Sequence, residues 1–290
     1  MPENESVQTQ GRAAMTFANI LCAISGKEGG FAAVEQAAAL AGPQGRLTFL
    51  AVTSFRSGGA RRGPAIGPAR VSEMLERAEG IAREAGVPYT SEVDPGTPPA
   101  RVILDWSVRY DLLAIGAPAS SWPAKLLSVG VGDKALGGFS SALLVARPLE
   151  AERRFGDRIV VASDGLETSH ALIDLAARLA PARGSNLTLV HGLGREAPLK
   201  RARPGEQERV LQEQVRTLAR TRSAGETELM VKPGRAGVVV VSAAAAADAS
   251  LVVMGSRRLE GLRAMGSVSR RVVHQARCSV LLVPPETLEG

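Results

Sequence analysis

The sequence predicts an α/β protein made of two tandem, doubly wound, five-stranded parallel-sheet domains. Three observations lead there. Short apolar runs alternate with longer amphipathic stretches along the whole chain, the pattern of right-handed strand–helix–strand crossovers in a twisted parallel sheet. Of the 290 residues 45% are apolar but only 3% are aromatic. Core filling therefore falls to Val, Leu, Ile and Ala, which suits strands covered by helices on both faces. The pattern also occurs twice: "ANILCAISGKEGG", from Ala18, returns as "DRIVVASDGLETS", from Asp157, each an apolar strand running into a glycine-containing turn. Ser25 falls opposite Asp164 and Gly96 opposite Gly234.

The elements follow in order. In the first half, apolar runs predict strands near Asn19–Ile24, Arg46–Val52, Tyr89–Val93, Leu112–Ile115 and Ala142–Val145, with helices between them on the plan of the second half. In the second half, strands are expected near Arg158–Ser163, Asn186–His191, Thr227–Lys232, Leu251–Met254 and Ser279–Val283. Helices are expected near Thr168–Ala180, Glu206–Thr221, Arg235–Ala247 and Ser267–Ala276. The repeat divides the chain into a poorly ordered tail at 1–15, a first domain at 16–148 and a second at 156–284. The charged stretch Arg147–Asp157 connects the two domains.

Composition narrows the function. The formal charge of +6 permits attraction to anions. No zinc-finger spacing, aromatic RNA-binding signature or recognition-helix pattern accompanies it, which argues against nucleic acid as the partner. Cys22 and Cys278 lie far apart in or beside apolar runs, which favours two small buried residues over a disulfide framework or a thiolate metal site. The polar first residues lack the apolar core of a signal peptide, and no apolar run reaches the length of a membrane span, so a cytoplasmic protein is expected.

One stretch asks for chemistry. "GSRRLEGLRAMGSVS", Gly255 to Ser269, leaves an apolar strand, carries three glycines and several arginines, and ends in Gly-Ser at a predicted helix start. Glycines let a backbone approach an anion, and the unpaired amides of a helix start point at negative charge. The bland reading is that Ser267 only caps the last helix and the arginines are solvated. Asp164 before Gly165 is likewise either a ligand-orienting carboxylate or an ordinary turn former. His191, on an apolar strand with no carboxylate–serine arrangement, reads as structural, and no histidine has a second ligand at metal spacing.

With these residues in view, "IVVASDGLETSHALIDLAARLA", "NLTLVHG", "LVVMGSR" and "GSVSRRVVHQARCSVLLVP" resemble the universal stress proteins. The resemblance spans nearly the whole chain as a tandem pair and is stronger in the second half. It implies that family's fold, which is also adenine nucleotide alpha hydrolase-like. It further implies that the two copies pair through their last strands about a pseudo-twofold axis, with a homodimer as a further assembly. Some members bind ATP, through an Asp ending the first strand and a loop of Gly, two residues, Gly, nine residues, Gly, Ser/Thr. Matched residue by residue, Asp164 takes the Asp place, flanked by Ala162 and Ser163, and His191 and Gly192 close the second strand beside the expected base. Met254 and Gly255 begin the loop, and Gly266, Ser267, Val268 and Ser269 end it.

Two departures stand out. Arg258 occupies the middle glycine position, and only seven residues, Leu259 to Met265, separate it from Gly266. Its guanidinium is suited to pair with a phosphate in its own right. In the first half Ser25 removes the carboxylate, Ala119 stands at the glycine position, and Pro118 and Pro123 stiffen the loop and delete donors. The expectation is a nucleotide site, for ATP or another adenine nucleotide, with Mg only alongside ATP, in the second domain alone. That reading makes the chain a stress-response regulator acting through an unidentified protein partner. The alternative is a stress interaction or chaperone-like scaffold without nucleotide. No residue is an evident catalytic base, so chemistry beyond slow ATP hydrolysis is not expected.

Overall fold

In the computed structural model the described residues are 17–53, 67–96, 99–117, 141–150, 152–166, 169–180, 185–193, 206–220, 224–256 and 266–284. The tail at 1–15, most of the loop after Gly255 and the predicted helix end at Thr221 lie outside them. The strands are β1 (Phe17–Ile24), β2 (Ala41–Val52), β3 (Tyr89–Asp94), β4 (Leu112–Gly116), β5 (Ala142–Ala146), β6 (Arg158–Ala162), β7 (Ser185–Leu193), β8 (Ala224–Pro233), β9 (Leu251–Gly255) and β10 (Ser279–Val283). The helices are α1 (Glu28–Leu40), α2 (Pro68–Glu84), α3 (Pro99–Ser107), α4 (His170–Leu179), α5 (Glu206–Ala219), α6 (Ala236–Ala246) and α7 (Ser267–Gln275).

Each half is a parallel sheet of order 3-2-1-4-5, and the halves join into one ten-stranded sheet ordered β3-β2-β1-β4-β5-β10-β9-β6-β7-β8. The junction is antiparallel: Val280 pairs with Val145, Leu281 with Leu144 and Leu282 with Leu143. Because the repeat aligns Leu143 with Leu281 and Leu144 with Leu282, the two central leucine pairs exchange under it. The register is therefore symmetric about an axis passing between them.

Alternation along the strands explains the double winding. In β6, Ile159 and Val161 face one core with Leu172, Ile173, Leu211 and Leu218 of α4 and α5. Val160 faces a second core with Val239, Val240, Val272 and Val273 of α6 and α7. With helices on both faces, every inner strand must be apolar throughout, which is why the runs show no polar alternation.

The strand bounds differ from the sequence reading at β2 and β8, which begin earlier. Phe17 pairs with Ala41 before the register shifts to Asn19 with Arg46, so β2 opens with an irregular extended stretch ahead of Arg46. The second half repeats this: Ser185 pairs with Ala224 before a shift to Leu187 with Thr227.

The connector is anchored at particular arginines. Arg153 and Arg158 both pair with Asp248, at 2.5 and 2.7 Å, just past α6. The half-buried Arg147 donates from its guanidinium to the carbonyls of Val273 (2.6 Å) and Cys278 (3.0 Å) at the end of α7. Its backbone amide donates to Ser279 Oγ and its carbonyl accepts from the buried Gln36 of α1, so one residue links both halves. Cys22 and Cys278 are free and buried. Among the described residues no helix is long and apolar enough to cross a membrane.

Candidate functional site

In a 3-2-1-4-5 sheet the chain turns back between its first and fourth strands, and the crevice beyond their carboxyl ends is where open α/β sheets take ligands. Here that place is between β1 and β4 in the first half and between β6 and β9 in the second. The two crevices differ.

In the first half the end of β4 and the start of α1 meet backbone to backbone. The start of α1 lies across the strand ends so closely that a Cβ on Gly116 would meet Gly29 C at 2.3 Å and Gly30 N at 2.5 Å. A Cβ on Gly30 would in turn meet Ser25 Oγ at 3.1 Å. Three glycines without side chains allow this contact. In the second half the residues opposite Gly29 and Gly30 are Thr168 and Ser169, and α4 begins only at His170. Gly255 stands where Gly116 stood, yet among the described residues a Cβ there would meet only Leu172 Cδ2, at 4.0 Å.

The turn after the first strand is the same in both copies. Gly26 and Gly165 have φ of +64° and +73°, where a side chain is strained. Gly255 and Gly266 do not share that conformation, so the value of glycine at these two positions is the space it leaves. Gly266 is the N-cap of α7, with φ −62° and ψ 163° and no side chain to cap the helix; among the described residues a Cβ there would meet nothing within 4 Å. The sequence reading of Ser267 as the cap is thereby corrected: Ser267 is the first helical residue, and it is exposed. The first-turn amides of Ser267, Val268 and Ser269 have no intrahelical acceptor.

The remaining expected residues sort by burial. Asp164 is exposed, and its Oδ1 accepts from the Leu166 amide (3.0 Å) and Ser169 Oγ (2.7 Å), so it forms a local turn as well as facing solvent. Ser163 is buried and donates from Oγ to Gln214 Oε1 at 2.6 Å. Ala162 lies in β6 between Val190 and Met254. Met254 is 4% exposed and belongs to the core, so its side chain has no access to a ligand. Ser269 is 5% exposed, which leaves its backbone rather than its hydroxyl for an anion. Gly192 has a packing reason: a Cβ there would lie 2.8 Å from Ala236 Cα at the start of α6. Arg258, with Arg257, Gly261 and Arg263, lies outside the described residues.

Two residues missed from the sequence, Gln207 and Gln214, join the site in a network with His191, which the sequence reading takes as structural. His191 Nδ1 is 3.0 Å from the Ser163 carbonyl, an acceptor only, so Nδ1 carries the proton and Nε2 is left as an acceptor. Gln207 donates from Nε2 toward His191 Nε2 (3.2 Å) and the Asp164 carbonyl (3.3 Å). Gln214, fully buried, donates from Nε2 to the Leu166 carbonyl at 3.0 Å. A signal was present: Gln207, Val210, Leu211, Gln214 and Leu218 share one face of α5, so both glutamines stand in an apolar stripe. Among the described residues no group of three or more His, Cys, Asp or Glu side chains could hold a metal ion.

Comparison with known proteins follows the same division. Residues 16–147 and 156–284 each match the family model described as the universal stress protein family. The crystal structure of a universal stress protein from Archaeoglobus fulgidus DSM 4304 is 20% identical and has a TM-score of 0.63, covering 92% of this chain and 96% of that one. A structure from Pseudomonas aeruginosa UCBPP-PA14 carrying the same designation is 17% identical with a TM-score of 0.62, covering 94% and 95%. A universal stress protein from Archaeoglobus fulgidus in complex with dAMP is 27% identical with a TM-score of 0.34, covering 43% of this chain and 96% of that one. A search of curated proteins gave no match.

Proposed function

Since the chain belongs to the universal stress protein family, with the family's domain present twice, we propose that its second domain is an adenine-nucleotide sensor and its first a nucleotide-free partner. The observation that carries this reading is the contrast between Gly116, pressed against the start of α1, and Gly255, where among the described residues a Cβ would meet only Leu172 Cδ2 at 4.0 Å. In the proposed complex the first-turn amides of Ser267, Val268 and Ser269 receive phosphate oxygens, helped by the positive end of the α7 dipole. Gly255 and Gly266 leave room for the phosphates. The Asp164 carboxylate takes a ribose or base donor, with Ala162 and Ser163 as the floor, and Arg258 pairs with a phosphate. ATP brings its own Mg; the described residues supply no metal cluster, and no step is assigned to one. Binding acts by changing the surface around the loop, which a protein partner then reads.

A second reading, a scaffold without nucleotide, draws support from Asp164, whose Oδ1 is already engaged by Leu166 and Ser169. Thermal-shift screening with ATP, ADP, AMP and cyclic nucleotides separates the two. The sensor reading expects a rise in melting temperature with at least one adenine nucleotide, diminished in Asp164→Ala. A flat response at millimolar ligand favours the scaffold.

A further inference from the structure

α6 reads AGVVVVSAAAA, and among the described helices it alone carries no charged residue. A helix apolar all round belongs in a core. Only one side of α6 is in one. Val239, Val240, Ala243 and Ala244 are buried, whereas Val238 is 42% exposed and Ser242, Ala245 and Ala246 are exposed with it. Its counterpart in the first half, α3, instead carries the Arg101–Asp105 ion pair (3.6 Å) on its outer side.

Beside α6 lies a helix of the opposite kind. α7 packs along it so closely that a Cβ on Gly237 would stand 3.0 Å from Arg271 Cδ and 3.4 Å from Val268 Cα. Both helices leave the carboxyl ends of parallel strands, so they run in the same direction with their first turns together. Residues 266–284 contain Arg270, Arg271 and Arg277 and no acid. None of these arginines has an acidic partner among the described residues. Arg235 is the N-cap of α6, and neither helix has an acid in its first turn to offset the positive end of its dipole. Asp248, the acid nearest to α6 along the chain, is engaged by Arg153 and Arg158. Glu228 lies on the edge strand β8, on the side of α6 away from α7.

We propose that the α6–α7 face docks another protein through an amphipathic α-helix, small and apolar where it lies on Val238, Val241 and Ala245 and acidic along the edge that meets Arg271 and the first turn of α7. Alanine, serine and valine let a second helix approach to the spacing of about 8–10 Å that close helix packing needs. The large apolar side chains that seat a helix surface in lipid are missing from α6. Charge then selects the occupant: an acidic helix gains from the uncompensated arginines, and a basic one is repelled. The inference does not rest on the nucleotide reading, because the face exists without a ligand in the crevice, and its failure leaves that reading standing.

The test uses the full chain and two synthetic amphipathic helical peptides of about 15 residues. Both carry alanine and leucine along one face; one has glutamates on its flanks and the other lysines. By fluorescence anisotropy at low salt the wild type is expected to bind the glutamate peptide about ten-fold or more tightly than the lysine peptide. Ala245→Glu, at an exposed position and with its fold checked by melting temperature, is expected to weaken the glutamate peptide about ten-fold. Arg271→Glu narrows the preference between the peptides, and Val108→Glu, at a 58% exposed position of the first half, changes neither affinity. No binding of the glutamate peptide, equal affinities for the two, or an Ala245→Glu variant that binds as the wild type does overturns the inference. Two further results also overturn it. Binding to phosphatidylglycerol vesicles that Ala245→Glu abolishes would give the face to a membrane, and a dimer that Ala245→Glu dissociates in sedimentation velocity would give it to a second copy of the chain.

Discussion

At the scale of single residues, the strongest statements concern equivalent positions with unequal surroundings. Gly116→Ala would set a methyl 2.3 Å from the backbone of Gly29, a contact that no rotamer change relieves. Destabilisation above about 3 kcal/mol is expected. Among the described residues the methyl of Gly255→Ala meets only Leu172 Cδ2, at 4.0 Å, and the change is expected to alter stability by less than about 0.5 kcal/mol while reducing nucleotide affinity. Urea denaturation of the two variants checks the pair, and equal costs would contradict the asymmetry. Asp164→Ala removes both a solvent-facing carboxylate and the acceptor for the Leu166 amide, whereas Asp164→Asn keeps an acceptor there. The alanine variant is therefore expected to be less stable by about 1 kcal/mol, with asparagine close to wild type in melting temperature. The Cys278 thiol is pushed up to about 11 by burial, from 9.0. The unfolded chain ionises first, so this group's stabilisation is complete below pH 9 and declines from pH 9 to 11. Cys278→Ala should flatten the alkaline fall in stability over that window.

At the scale of elements, the strands were legible because parallel strands buried on both faces are uninterrupted apolar runs. Leu251–Met254 and Ser279–Val283 stand out in the sequence for that reason. The edges of β2 and β8 were not legible, since the pairing of Ala41 and Ala224 across register shifts depends on a neighbour strand and not on local composition. Among the proposed site residues, Gly266-Ser267 stand out in the sequence as a glycine-serine pair at a helix start, while Asp164 comes only from the family resemblance. The backbone contact between β4 and α1 could not be read, because Gly29-Gly30 looks like any glycine pair until α1 is laid across β4. Nor could the clasp of Arg147, which sits in a charged stretch that reads as solvated but caps α7 from the other half. Arg147 makes two guanidinium bonds to the carbonyls of Val273 and Cys278. Its replacement by alanine is expected to cost about 2 kcal/mol, with lysine recovering part of it, as read by chemical denaturation.

At the scale of the whole molecule, the β5–β10 junction makes two domains into one sheet, and both cores contain residues of both halves, Leu144 and Leu281 in one and Leu143 and Leu282 in the other. A single cooperative unfolding transition is expected by calorimetry and circular dichroism alike; two separated transitions would mean that the halves hold independently. Fusion also lets the copies diverge. One chain can carry unlike residues at the strand ends of β1–β4 and β6–β9, such as Gly29-Gly30 in one and Thr168-Ser169 in the other, which two identical chains pairing through the same strands cannot do. The most direct measurement of this asymmetry is the number of adenine nucleotides bound per chain, by isothermal titration of protein of known concentration. One per chain, weakened by Asp164→Ala and unaffected by Ser25→Ala, is the predicted result. Two per chain, or one that survives Asp164→Ala and is lost with Ser25→Ala, would contradict it.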